Sequence, residues 1–254
     1  MVGMRLGVPA AEGRVSLFFG YRNEQLEGRC RHRMQRSTKV TFNILHIDCS
    51  PRAESHSRQL SAAIVGKLLE VAPAASIDRR DLGADPLPHA TPDYATTLSS
   101  PATLAAPLAG SLDLSETLIR EVEAADAIVI GTPMHNLTVP SVLKAWIDQI
   151  LRAGRTFRST PAGKTGLIPD RPVFVGIASG GTFTGEHANQ PDFLTPYLSA
   201  VLGSMGLKSL QFLPVQATAF LVGETAAAAR EKALAMIDLS EVAEVPCLMA
   251  VEGA

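Results

Sequence analysis

Ala127, Ile128, Val129 and Ile130 form a continuous apolar run that stops at Gly131-Thr132-Pro133 and passes straight into Met134-His135-Asn136-Leu137. A run of branched residues suits a strand covered on both faces, and Pro133, with no N–H to donate, ends its ladder. Val142, Trp146 and Ile150 follow at i, i+4 and i+8, which is one face of a helix, and Pro140 suits its first turn. The unit is strand, loop, helix. Its loop lies at the carboxyl end of the strand, where open α/β sheets hold their ligands.

The same unit recurs along the chain. Residues 40–48 read as a first strand, residues 49–57 as a hydroxyl-rich loop, and Leu60, Ile64 and Leu68 as the face of the helix that follows. Ser55 or Ser57 can cap that helix. A loop of this kind at a helix N-terminus suits a phosphate, although spacing alone fits an ordinary capped turn as well. Residues 76–82 carry charges that belong on an edge strand. Residues 83–113 hold five prolines and are too long for a plain connection, so we expect them to be functional or at an interface. Helical period resumes at 114–125 with Leu118 and Val122.

After the Trp146 helix, residues 153–171 read as a Gly/Pro-rich loop. Gly163-Lys164-Thr165 within it is not a P-loop, because Arg158 stands where that motif needs glycine. Residues 172–178 form the next strand, ending at Ser179-Gly180-Gly181-Thr182, where two glycines allow φ > 0 and close approach to a flat ligand, or simply make a turn. Residues 193–202 read as a helix with Pro196 in its first turn, 207–215 as the fifth strand and 225–237 as the last helix. The alternation gives an α/β fold, a parallel sheet with helices on both faces.

A length of 254 residues suits one large domain. We place it at 40–240, with 1–39 a disordered or mis-annotated extension and 241–254 a C-terminal tail. The natural start is expected at Met34, because regular structure begins only at Val40. Residues 1–40 hold eight Lys or Arg against three Glu, and the remainder 15 against 22 acidic residues. An acidic body argues against a general nucleic-acid binder. No apolar run approaches the ~20 residues that span a bilayer. Cys30, Cys49 and Cys247 have no metal-ligand spacing and read as the reduced thiols of a cytoplasmic protein.

Three loops therefore meet along one sheet edge: residues 50–57, 132–137 and 179–182. None contains an acid and base pair, a G-x-S-x-G elbow or an H-E-x-x-H helix. A phosphate-bearing, ring-shaped cofactor that performs its own chemistry fits these absences best, which points to FMN.

In Asp48-Cys49-Ser50-Pro51-Arg52, Ser55-His56-Ser57-Arg58-Gln59-Leu60-Ser61, Pro133-Met134-His135-Asn136-Leu137, Leu143-Lys144-Ala145-Trp146-Ile147-Asp148, Arg152-Ala153-Gly154-Arg155-Thr156-Phe157-Arg158, Ser179-Gly180-Gly181 and Thr195-Pro196-Tyr197-Leu198, the chain resembles the FMN-dependent NADH-azoreductase family. The resemblance implies a flavodoxin-like, doubly wound, five-stranded parallel sheet. It also implies a homodimer with one FMN per subunit, which takes hydride from NADH and passes electrons to an azo compound or a quinone. Flavin N5 would carry the chemistry, with no side chain in a catalytic role. Ser50, Ser55, His56 and Ser57 would bind the phosphate and ribityl end, and Met134, His135, Asn136 and Leu137 would line the isoalloxazine. Ser179, Gly180 and Gly181 would close the other side. The family usually has Tyr and Phe at His135 and Leu137, and often Ser at Ala178, departures that bear on the substrate side of the ring. The alternative in another class is a non-enzymatic electron carrier of the flavodoxin type.

Overall fold

The computed structural model describes residues 42–242. The expectations for residues 1–39 and the Met34 start lie outside the described residues, as does the tail beyond residue 242.

Five strands, β1 (Asn43–Asp48), β2 (Ser76–Asp81), β3 (Ala127–Pro133), β6 (Val173–Ala178) and β7 (Leu210–Val215), form one all-parallel sheet in the order β2-β1-β3-β6-β7. The central strands β1, β3 and β6 are buried almost throughout, whereas β2 is exposed over most of its length. That difference is why Arg79 and Arg80 are tolerated at the edge. Helices α1 (His56–Val71) and α7 (Gly223–Leu234) cover one face, packing Leu60, Ile64, Leu68 and Ala233 on Ile44, Val129 and Phe174. Helices α4 (Asp113–Ala124), α5 (Ser141–Ile150) and α6 (Thr195–Met205) cover the other, where Leu118, Trp146 and Leu198 meet Leu45, Ile128 and Val175. The sheet is doubly wound.

Two glycines set how closely α1 approaches. Gly131 and Gly176 are register partners on β3 and β6. A Cβ on Gly131 would lie 2.5 Å from Ser61 Oγ and 2.9 Å from the Ser57 carbonyl oxygen, and one on Gly176 would lie 3.0 Å from Leu60 Cγ. The start of α1 is therefore pressed against the carboxyl ends of the strands.

Two connections carry structure of their own. Residues 83–113 contain short helices α2 (Pro92–Leu98) and α3 (Pro101–Ala105), each with proline in its first turn and a hydroxyl cap from Thr91 or Ser100. Buried Tyr94 anchors them by donating its hydroxyl to the Asp148 carbonyl at 3.0 Å. Residues 153–171 are not a plain loop, because β4 (Phe157–Thr160) and β5 (Gly163–Gly166) pair there as an antiparallel hairpin. Lys164 Nζ stands 4.6 Å from the centre of the Phe157 ring, a cation–π contact that accounts for this lysine without a phosphate. A hairpin of Arg, Ser, Thr, Lys and Gly lacks the apolar alternation that announces a strand.

Candidate functional site

The start of α1 is built from hydroxyls. Ser55 is its N-cap and accepts from the Arg58 amide at 3.3 Å, and Ser55 Oγ lies 3.3 Å from Ser57 Oγ. Ser50 accepts from the Arg52 amide at 3.2 Å. All three serines are buried. The amides of His56 and Ser57 have no carbonyl one turn back to receive them, and the first turn of α1 carries no acidic residue. Donors without a competing negative charge suit a phosphate.

A charged cluster braces this loop from below. Arg58 donates Nε to the Ser50 carbonyl oxygen at 2.8 Å and engages Asp81 through both terminal nitrogens. Asp48, almost completely buried, accepts from Arg79 at 2.7 Å and from Ser61 Oγ at 2.9 Å, with His46 Nε2 at 3.5 Å. Burial works to raise the pKa of Asp48, but His46, Arg79 and Ser61 outweigh it and hold the carboxyl well below the usual range. Asp81 is held low by Arg58. Cys49, between them in sequence, is buried with its amide on the Gly131 carbonyl, and burial followed by the charge of Asp48 pushes its thiol up. It is a packed, protonated thiol rather than a nucleophile.

The second loop continues β3. The Met134 amide donates to Ala178 O at 2.8 Å, and His135 and Thr138 exchange backbone bonds at 2.9 and 3.0 Å around Asn136 (φ 48°) and Leu137 (φ 71°). Two central residues at positive φ make a tight primed turn, and Leu137 there costs on the order of 1 kcal/mol. Its conformation is fixed from outside: the Phe193 amide donates to Leu137 O at 3.0 Å, and Thr138 Oγ1 donates to Phe193 O at 3.1 Å. His135 and Asn136 are exposed at the tip.

The third loop follows β6. Ser179 is buried, with its amide on Val215 O. Gly180 is exposed, so its backbone faces outward without a side chain. Neither Gly180 nor Gly181 has positive φ, which corrects the expectation drawn from their type; that conformation falls instead on Ala217 (φ 56°), whose amide donates to Gly181 O. Gly181 lets the Gln190 side chain approach closely, because a Cβ there would lie 2.5 Å from Gln190 Oε1 and push that side chain aside.

All three loops leave the sheet at one edge. Asp48 is level with Gly131, and Pro133 with Ala178. The structure thus brings Ser50, Ser55, His56 and Ser57 to the strand beside the one bearing Met134 to Leu137, with Ser179 to Gly181 on the next strand over. Sequence reasoning missed Gln190, which bridges the last two loops, and the bracing role of Arg58. Among the described residues no group of His, Cys, Asp or Glu is arranged to hold a metal ion, and no helix is long and apolar enough to cross a membrane.

A parallel sheet in this order, reversing between β1 and β3 beside a hydroxyl-lined helix start, defines a flavodoxin-like protein. Residues 43–239 match the family model described as Flavodoxin-like fold. The chain is 50% identical over 179 residues to FMN-dependent NADH:quinone oxidoreductase 4 of Pseudomonas fluorescens, covering 70% of this chain and 85% of that one. It is 47% identical over 175 residues to FMN-dependent NADH:quinone oxidoreductase 2 of Cupriavidus pinatubonensis, covering 68% and 85%. Its fold is shared with an FMN-dependent NADH-azoreductase from Bacillus anthracis solved in complex with FMN (TM-score 0.63, 24% identity, 78% of this chain and 100% of that one). The chain belongs to the flavodoxin-like family of FMN-dependent NADH:quinone oxidoreductases.

Proposed function

We propose that the protein is an FMN-dependent oxidoreductase that takes hydride from NADH and reduces quinones or azo compounds in a two-step exchange. The observation that carries this reading is the N-terminus of α1, with its buried hydroxyls and free amides, set on the same sheet edge as two backbone-rich loops. Bound FMN supplies the hydride-accepting centre. Ser50, Ser55 and Ser57, with the amides of His56 and Ser57, hold its phosphate. Met134 to Leu137 offer backbone groups and the Asn136 amide to the ring, and Ser179 to Gly181 close the opposite side. Preorganised neutral donors at the ring's polar edge stabilise developing negative charge without a titrating side chain.

Exposed Phe193 and Phe220, 58% and 82% accessible, flank the second and third loops, and a second copy of the chain would cover them in a homodimer working in the cytoplasm. The reading is tested by the visible spectrum of the purified protein with added FMN, and by steady NADH oxidation with menadione or an azo dye as acceptor. A flavodoxin-type carrier would bind FMN yet be inert to NADH. A protein that binds no flavin would refute both readings.

A further inference from the structure

Gln190 lies in none of the three loops, yet its side chain stands between two of them. Its Nε2 donates to Ser179 Oγ at 2.8 Å and lies 3.2 Å from Met134 Sδ, so the two amide hydrogens engage both walls at once. Its Oε1 lies directly over Gly181, where an added Cβ would come within 2.5 Å of it and displace the side chain. The backbone holds the side chain there. The amides of Asn189 and Gln190 both donate to Thr182 O, at 2.8 and 3.2 Å, and Asn189 Oδ1 accepts from the Thr182 amide at 3.0 Å. The loop from Thr182 to Gln190 is thereby closed at its base, and Gln190 is delivered to a fixed place.

We propose that Gln190 is a positioning residue for the flavin, which ties the Met134 wall to the Ser179 wall and fixes their separation before the ring enters. The inference rests on the reading above that FMN occupies this edge. β3 and β6 already pair up to Pro133 and Ala178, and the Met134 amide adds one more bond to Ala178 O. Beyond that bond the two loops meet through side chains: Ser179 Oγ donates to Met134 Sδ over a long 3.8 Å, and Gln190 bonds to both, which makes it the shorter tie to each. A slot fixed in advance spares the cofactor the cost of ordering it.

The test uses the full chain as apoprotein titrated with FMN by fluorescence quenching, followed by redox titration of the loaded protein. Gln190→Ala removes both of its ties, leaving only the long Ser179–Met134 contact between the walls, and is expected to weaken FMN binding about tenfold, the scale of one lost hydrogen bond. Gln190→Glu keeps the shape. The Ser179 hydroxyl can turn to donate to the new carboxylate, so FMN binding should be weakened less than in Gln190→Ala. A negative charge now stands between the walls and opposes electron uptake, so the midpoint potential of the bound flavin should fall. A merely structural role would move the apoprotein's unfolding midpoint and leave the potential of Gln190→Glu at the wild-type value. That result, or wild-type FMN affinity in Gln190→Ala, overturns the inference while leaving the flavin reading intact. Failure of the wild-type protein to bind FMN overturns both.

Discussion

Arg58 and Ser50 are joined by a 2.8 Å hydrogen bond from the guanidinium Nε to the main-chain carbonyl, which ties the first turn of α1 to the loop that precedes it. The same guanidinium is forked onto Asp81 of the edge strand. The hydroxyl-rich loop thus acquires a rigid floor. Replacing Arg58 by Met keeps the aliphatic stem but leaves Asp81 and the Ser50 carbonyl without this donor. The expected destabilisation is roughly 2–3 kcal/mol, read from urea unfolding. FMN affinity should fall more than in Arg80→Met, whose partner Glu121 lies on α4 away from the loop. Equal FMN affinities in the two variants would show that Arg58 does not hold the phosphate loop.

Gly131 and Gly66 form a contrasting pair. A methyl group at Gly131 meets Ser61 and the Ser57 carbonyl inside ordinary contact distance, whereas one at Gly66, exposed on α1, meets nothing within 4 Å. Gly131→Ala must push α1 off the sheet, with a cost of about 1–3 kcal/mol and a shift of the serine loop that weakens FMN binding. Gly66→Ala should stabilise by about 0.5–1 kcal/mol, because alanine loses less backbone freedom in a helix. Thermal unfolding of the apoproteins checks both signs.

The buried run Ala127 to Ile130 and the alternation of units were legible because burial on both faces leaves a continuous apolar signature. The serine-rich loop was legible as a set of residue types, since Ser50, Ser55 and Ser57 are close in sequence. Arg58 was visible within its motif, but its partners Asp81 and Ser50 are assigned only when β2 is laid beside β1. Gln190 carries no signal: a glutamine in an aperiodic loop gains its role from contacts with Met134 and Ser179, 56 and 11 residues away along the chain. Of the two reasons for glycine at 180 and 181, positive φ does not apply, whereas close approach holds at Gly181, where the Gln190 side chain comes near; residue type does not separate the two.

Glu116 fastens α4 to the chain entering the β4 hairpin by accepting from Arg152 and Arg155. Arg155 foremost, opposed by burial and aided by Arg152, lowers its pKa from 4.5 to about 2. The folded value lies below the unfolded one. The stabilisation is therefore complete above pH 4.5 and is lost as pH falls from there through about 2. Glu116→Gln should lose roughly 1–2 kcal/mol at neutral pH, the scale of charge-assisted bonds, and should show a shallower decline of stability between those two values. Urea denaturation at half-unit pH steps measures the slope, and parallel curves for the two proteins would exclude the contribution.

His135 is expected to govern which acceptor is reduced more than how tightly FMN is held. Its backbone is committed to the reciprocal bonds with Thr138, and the turn at Asn136 and Leu137 is pinned by Phe193, so replacing the exposed imidazole disturbs neither. What changes is the surface offered at the tip of the loop. An imidazole is smaller than a phenol and can both donate and accept, whereas tyrosine presents a broader apolar face with its polar atom at the far end. Broad aromatic azo dyes should gain from the larger stacking face, and small quinones should gain little. His135→Tyr is therefore predicted to raise the ratio of azo to quinone reduction severalfold while changing FMN affinity by less than Gln190→Ala does. Stopped-flow reoxidation of the reduced protein, run separately from its reduction by NADH, isolates the step at which the acceptor is chosen. An unchanged ratio of reoxidation rates for the two acceptors would place the His135 side chain away from the acceptor, leaving the backbone of its turn as the part that serves the site.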